Sequence, residues 1–365
     1  MLIAAISGRA LAIAAREAGY APLVADLFGD QDMRAAAIMS TTAPGNLESG
    51  FDEQGLIDSL TRLAAGRTCE GLVCGSGFED RPEILAQLAQ IWPLLGNSAD
   101  TVRRAKDPFG FARLCAKLDV PHPPVRETCP SNPRNWLGKR IGGSGGAHVQ
   151  AAGKAAEGPG TIYYQRRVAG RAVSALFLAD GEDARVLGFS AQWSDPAPHA
   201  PERYGGAVRP AGIGQRLRHR LVRYLRSLAP ALGLRGLNGA DFLISGEDAW
   251  LIEINPRPGA TLDLFDAASL FALHVDACRG ALPAQMPRFP GAAAAAIAYA
   301  PRRISQMPQL DWPDWSADRQ TAGSSVCAGE PLCTIKVKAR STGRAKALIE
   351  ERIKVVLALA QGGRS

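Results

Sequence analysis

Leu237-Asn238-Gly239-Ala240-Asp241-Phe242-Leu243-Ile244-Ser245, Gly246-Glu247-Asp248 and Ala249-Trp250-Leu251-Ile252-Glu253-Ile254-Asn255-Pro256-Arg257-Pro258-Gly259 follow one another without a break. Two apolar-rich runs flank a turn-forming triplet, so the spacing predicts a β-hairpin with a three-residue loop. With Ser245 paired to Ala249, Leu243 falls opposite Leu251 and Asp241 opposite Glu253. Side chains alternate along a strand. Asp241, Glu253, Asn255 and Arg257 therefore share one face, and Phe242, Ile244, Trp250, Ile252 and Ile254 share the other, which is core. Two like charges directly opposite each other destabilise the pair, more so when partly buried, unless a cation offsets them. Carboxylate and carboxamide oxygens without His or thiolate are hard donors, the set expected for magnesium bound partly through substrate phosphates. The alternative is an exposed hairpin whose acids are solvated; the further charge of Arg257 on the same face speaks against it.

The rest of the chain bounds what such a hairpin serves. At 365 residues the chain is long for one compact domain and comfortable for two or three. With 46% hydrophobic and 21% charged residues it reads as an ordered α/β protein. The net charge of +7 raises nucleic acid as a partner, but the basic residues are not gathered with aromatics. The densest run, Arg216, Arg218, Arg220, Arg223 and Arg226, alternates with Leu217, Leu221, Leu225 and Leu228 at helical spacing, so it reads as a helix with a solvated basic face. No nucleic-acid or membrane partner is expected. Seven scattered cysteines without a Cys-x-x-Cys pair fit reduced thiols. The start lacks a basic segment ahead of its apolar residues, and the alanine run Ala292 to Ala296 is too short to span a bilayer. A soluble, cytoplasmic protein is expected.

Along the chain, Leu2 to Ile6 reads as a buried strand, Ala10 to Ala18 as a helix, Pro22 to Asp26 as a strand, Leu56 to Ala65 as a helix and Gly71 to Cys74 as a strand. This alternation predicts a doubly wound parallel sheet, whose ligands gather at the carboxyl ends of strands. Ser7-Gly8-Arg9 and Gly75-Ser76-Gly77-Phe78-Glu79 occupy such ends, as ligand contacts or simply as tight turns. A boundary falls near Gly96-Asn97-Ser98. Beyond it the pattern predicts one helix from Asp100 to Leu118, a strand pair near Ile162 to Val168 and Ala172 to Leu178, a strand near Val186 to Gln192, and a helix from Ala267 to Cys278. Short strands, one near Leu332 to Val337, and a helix from Arg344 to Ala360 close the chain.

Lys139-Arg140-Ile141-Gly142-Gly143-Ser144-Gly145-Gly146-Ala147-His148 has four glycines in five positions. Such a loop brings backbone amides to an anion with no side chains in the way. It is neither a Walker A loop nor a dinucleotide fingerprint. It reads as a flap over a triphosphate, a flexible surface loop being the other reading. Lys139 and Lys106 each suit a phosphate as a point charge, or stand as surface lysines.

With flap, hairpin and order of elements in hand, the chain resembles the ATP-grasp superfamily of carboxylate-amine ligases over nearly its whole length. Asp241-Phe242 followed by Glu253-Ile254-Asn255-Pro256-Arg257 is the most specific element. The resemblance implies an α/β and α+β fold: an N-terminal doubly wound domain over 1–97, a nucleotide-binding region over 98–286 with its flap at about 121–168, and a C-terminal subdomain over 287–365. It implies ATP and magnesium as cofactors, manganese being a permitted substitute. Asp241, Glu253 and Asn255 would hold the metal. Lys106, Lys139 and the flap residues Gly142, Gly143, Ser144, Gly145 and Gly146 would contact the phosphates. The hinge Gln165, Arg166 to Val168 would read the adenine. Arg257 would meet the transferred phosphate or the substrate, and with Lys139 it would be catalytic. One departure concerns the ribose: members often carry an acid shortly after the hinge, where this chain has Gly170-Arg171-Ala172, which leaves Glu202 or another distant residue for that task.

The implied reaction is attack of a carboxylate on the γ-phosphate of ATP, then displacement of phosphate by an amine. It needs no side-chain nucleophile, in keeping with five dispersed histidines, of which only His148 lies beside the flap. Ser7, Arg9, Ser76 and Glu79 are the candidates for substrate binding, Arg holding a carboxylate and Glu79 an amine. The partners expected are a small carboxylate and a small amine, with a homodimer allowed. The compact flap and the Gly75 to Glu79 strand end most resemble carboligases of one-carbon carrier cofactor pathways (tetrahydromethanopterin and methanofuran). A phosphotransferase, a carboxylase and a nucleotide-binding regulatory module are the rivals.

Overall fold

The computed structural model describes residues 1–154, 162–265 and 267–362. At the N-terminus lie β1 (Leu2–Ala5), α1 (Arg9–Glu17), β2 (Leu23–Asp26), α2 (Gln31–Ala36), β3 (Met39–Thr42), the short β4 (Gly45–Asn46) and β5 (Gly50–Phe51), α3 (Glu53–Ala64), β6 (Leu72–Cys74) and α4 (Pro82–Ile91). β1, β2, β3 and β6 form a parallel sheet in the order β3-β2-β1-β6. LIAA in β1 and LVAD in β2 are buried throughout, as strands covered by helices on both faces must be. The chain reverses direction of winding at β1, so the crevice that such sheets offer to ligands opens beyond Ala5 and Cys74.

The helix expected from Asp100 to Leu118 is two helices, α5 (Ala99–Lys106) and α6 (Pro108–Lys117). Pro108 disfavours helical geometry in the residue before it, and Asp107 instead turns extended and accepts from Phe109 N at 3.0 Å to cap α6. The break leaves Lys106 at the end of α5, with its side chain turned inward.

β7 (Val125–Arg126), β8 (Trp136–Arg140), β9 (Gln150–Ala151) and β10 (Ile162–Arg166) form a small sheet in the order β7-β10-β8-β9. This is the flap; its residues 155–161 lie outside the described ones. The main sheet, eight-stranded among the described residues, contains β11 (Arg171–Asp180), β12 (Ala184–Ser194), β13 (Tyr204–Arg209), β14 (Arg235–Ser245), β15 (Asp248–Asn255), β16 (Ala292–Tyr299), β17 (Ser316–Ala317) and β18 (Pro331–Ala339). The strands at Ile162 and Ala172 therefore do not pair with each other: β10 belongs to the flap, and β11 pairs with β12 and β14. The section from 287 onward, whose residues 363–365 lie outside the described ones, does not form a sheet of its own. β16 pairs with β13 and extends the main sheet, its alanines small enough to be buried on both faces.

α7 (Gln215–Leu232) and α9 (Thr342–Ala360) cover one face of that sheet, and α8 (Ala267–Cys278) lies against the other beside α1. Leu217, Leu221, Leu225, Leu228 and Leu232 form the buried stripe of α7, at the period an amphipathic helix needs. Arg216, Arg218, Arg223 and Arg226 are exposed on its other side.

The hairpin departs from expectation in two places that cancel. Its loop is Gly246-Glu247, with Ser245 opposite Asp248 rather than Ala249, and a bulge at Ile252 consumes the residue so gained. Asp241 thus stands opposite Glu253. The core face is changed accordingly: Ala249 and Leu251, not Trp250 and Ile252, join Phe242, Ile244 and Ile254 in the core.

Candidate active site

Across the hairpin, one acid and the amide meet an ammonium, and the amide bridges to the second acid. Lys106 Nζ donates to Glu253 Oε2 and to Asn255 Oδ1, each at 3.0 Å. Asn255 Nδ2 donates to Asp241 Oδ2 at 2.9 Å, and Gln192 Nε2 to Asp241 Oδ1 at 3.3 Å. Ser174, opposite Asp241 on β11, adds a hydrogen bond to the same carboxylate. Burial, then Glu253, pushes the Asp241 carboxyl up to about 6. Burial acts the same way on Glu253, but Lys106 and Lys139 outweigh it and hold that carboxyl at about 2. Glu253 keeps a third of its side chain exposed, as the floor of an open cleft does. Asp241 is short of positive charge. Three hard oxygens with that deficit fit magnesium, and the same donors accept manganese.

Above this floor stands Lys139, on β8 and buried, its proton affinity lowered by burial and by Lys106 against the pull of Glu253 and Asp241. The glycine loop that follows is closed down. Gly142, at φ +72°, lies so near Asp80 that a β-carbon would overlap the Asp80 Cα, and one at Gly146, at φ +74°, would overlap the Glu202 carbonyl. Tyr204 N donates to Gly145 O at 2.9 Å. Gly143 backs onto the His148 ring, whose Nδ1 is buried and has no hydrogen-bond partner among the described residues. Burial, followed by Lys139 and Lys106 against Glu253, lowers His148 to about 4. Ser144 accompanies the loop, half-buried.

In the hinge, Gln165 is buried with Nε2 3.4 Å from His122 Nε2. Arg166 N and Arg167 N donate to the Pro124 and Asn135 carbonyls, both at 2.8 Å, while Val168 follows, half-buried. Glu202 lies 3.6 Å from the Arg167 guanidinium and against the flap, next to the hinge.

Of the residues expected to bind substrate, Glu79 reaches the site already engaged. Its Oε1 accepts from Arg257 Nε at 2.6 Å, and its Oε2 from Gly77 N and Phe78 N at 2.9 and 3.0 Å. Arg9 does not present its guanidinium to a cleft: it is buried between two carboxylates, donating to Asp263 at 2.5 and 2.6 Å and to Asp318 twice at 2.9 Å. Paired on both edges, it joins the N-terminal sheet to the segment after the hairpin and to the C-terminal section. Ser7 Oγ donates to Asp318 Oδ1 at 3.1 Å. Ser76 is half-buried at its strand end, its carbonyl taken by Ile6 N. Gln192, Ser174, Asp263 and Asp318 were not anticipated. Only Ser174 left a trace in the sequence, as a polar residue inside the apolar run from Ala172 to Leu178.

Comparison with known proteins bears on the fold. Residues 109–261 match the family model of the ATP-grasp domain. The formate-dependent phosphoribosylglycinamide formyltransferase of Methylococcus capsulatus is 31% identical over 105 residues, 27% of this chain and 26% of that protein. The chain spans about a quarter or less of the length of the curated relatives it matches. Among solved structures, the biotin carboxylase domain of the Hydrogenobacter thermophilus 2-oxoglutarate carboxylase, in complex with MgADP, ADP and bicarbonate, aligns with a TM-score of 0.75 at 11% identity, over 99% of this chain and 93% of that one. The L-amino acid ligase of Bacillus licheniformis aligns with a TM-score of 0.71 at 14% identity, over 97% and 96%. At those identities the likeness is one of fold. No helix among the described residues is long and apolar enough to cross a membrane.

Proposed function

Because this chain carries an ATP-grasp domain, we propose that it is an ATP- and magnesium-dependent ligase that joins a carboxylate to an amine through an acyl phosphate. The observation that carries this reading is the convergence of Lys106 and Lys139 on Glu253, with Asp241 and Asn255 beside it and a closed glycine flap above. Asp241, Glu253 and Asn255 would hold magnesium, which when bound supplies charge to offset the terminal phosphates of ATP. Lys139 from the flap and Lys106 from α5 bring two fixed positive charges to the transferred phosphoryl group. Arg257, held by Glu79, points a guanidinium at the place where a substrate carboxylate would attack and steadies it for in-line transfer. The backbone from Gln165 to Val168 reads the adenine, and Glu202 takes the ribose that the hinge leaves without an acid. The amine then displaces phosphate, with no covalent enzyme intermediate.

The compact flap and the Gly75 to Glu79 strand end favour a one-carbon carrier cofactor pathway for the product. The test is ADP release with magnesium and ATP over a panel of amino acids, pterins and furan precursors, in the wild type and in Glu253→Gln. Release that requires both an acid and an amine, and that disappears in the folded variant, is expected. Release with an acid alone would identify a phosphotransferase, incorporation of labelled bicarbonate a carboxylase, and nucleotide binding without turnover a regulatory module.

A further inference from the structure

We propose that the crevice at the carboxyl ends of β1 and β2 binds an organic ammonium group, gripped by the Asp30 carboxylate with Asp318 beside it. Five carboxylates gather there, Asp26, Asp30, Asp32, Asp263 and Asp318, around two cations, Arg9 and Lys336. Four of the five are satisfied. Asp26 accepts from Gly8 N at 3.1 Å and Gly29 N at 2.9 Å. Asp32 accepts from Asp318 N at 3.0 Å and Arg319 N at 2.9 Å. Asp263 and Asp318 hold Arg9 between them, and Lys336 Nζ lies 3.3 Å from Asp263. Arg319 turns its guanidinium to the Ser316 and Pro313 carbonyls.

Asp30 is the one left over. It is 2% exposed, and its Oδ2 is buried without a hydrogen-bond partner among the described residues. Burial, then Asp318, Asp26 and Asp32, push its carboxyl up to about 9 against the pull of Arg9. A carboxylate so placed is costly unless a cation meets it. In the free protein a proton meets that cost, and a cation that binds there takes its place. An ammonium needs only charge and one or two acceptors. The rim is partly open, with Asp32 at 15% and Asp318 at 20% side-chain exposure.

That this ammonium belongs to a co-substrate, as a cationic group remote from the reacting atoms, rests on the ligase reading; that the crevice binds an ammonium does not. The probe is 1,4-diaminobutane, with butane-1,4-diol as its uncharged counterpart, titrated calorimetrically into the full chain. Saturable binding of the diamine and none of the diol is expected, weakened at least tenfold in Asp30→Asn and in Asp318→Asn, and retained in Glu253→Gln. Equal binding of diol and diamine, no saturable diamine binding, or binding indifferent to both aspartate variants would overturn the proposal. So would Asp30-dependent binding of magnesium or calcium in place of the diamine. Asp30-dependent diamine binding in a protein that releases no ADP with any acid and amine would sink the ligase reading and leave this site standing.

Discussion

Arg257 Nε lies 2.6 Å from Glu79 Oε1, so the exit of the acid-bearing hairpin is tied to the strand end of the N-terminal sheet. Both partners are withdrawn from water, Glu79 at 4% and Arg257 at 15% side-chain exposure. Burial acts to raise the Glu79 carboxyl, yet Arg257 and Lys106, with the Gly77 amide, hold it below the usual carboxylate range. Glu79 is therefore ionised at neutral pH and spends its charge on Arg257, whose guanidinium is fixed before any substrate arrives. Preorganisation of this kind lowers the cost of orienting groups at the moment of reaction.

Glu79→Ala should lower stability by about 3–5 kcal/mol, the usual cost of leaving one member of a buried ion pair alone. The folded carboxyl titrates below its unfolded value of about 4.3, so its contribution is present above that pH and is lost as pH falls through the depressed folded value. Denaturant midpoints of wild type and variant should accordingly differ most near pH 7 and converge as the pH is taken down through the folded carboxyl's depressed value. A gap of the same size at both ends of that range would show that the pair is not its source.

Lys106→Met removes one of two ammonium groups aimed at Glu253. On the ligase reading, kcat/KM for ATP should fall roughly 10²- to 10³-fold, as when one preorganised donor is lost from a transition state. Lys139→Met should act on the same phosphoryl group, so the double variant should lose less than the product of the two single effects. Full multiplicativity would mean that the two lysines serve separate steps.

How much of this site was legible follows from the range over which sequence patterns act. The facing of Asp241 and Glu253 was readable because alternation and turn chemistry act over a few residues, even though loop and bulge each shifted the register by one. The flap was readable from glycine density, and Lys139 from its place before it. The partners of Arg9 were not: Asp263 and Asp318 lie 254 and 309 residues away in the chain, and no local periodicity carries that distance. Arg9 therefore looked free for a substrate when tertiary packing had already used it. The same limit hid Asp30, an ordinary turn aspartate in sequence that becomes a buried, unpartnered acid only when the C-terminal section closes over it.

Arg9→Met leaves Asp263, at 8% side-chain exposure, with the Lys336 ammonium at 3.3 Å in place of a two-bonded guanidinium, and with Asp318 facing it. A loss of about 3–5 kcal/mol is expected. Asp318→Asn in the Arg9→Met background should recover part of that loss, since it removes one of two like charges left facing each other. Calorimetric unfolding of the two variants measures it, and a further loss in the double variant would contradict the ion-cluster account.

Asp30→Asn should stabilise the free protein, in contrast to the losses above. The folded state holds the Asp30 proton up to about pH 9, while the unfolded chain releases it near 3.9. The folded state thus binds more protons between those limits, and wild-type stability falls as pH rises through them. Asparagine does not titrate, so the advantage of the variant should be small at pH 4, grow with pH and level off near pH 9. At pH 8 the unfolded wild type has released this proton while the folded state still binds it, and that difference is what the variant escapes. Saturating 1,4-diaminobutane should close that gap, because a bound ammonium supplies the wild type with the charge that the proton otherwise provides. A variant less stable than wild type at pH 8, or a difference flat with pH, would mean that the Asp30 carboxylate already has a partner in the folded chain.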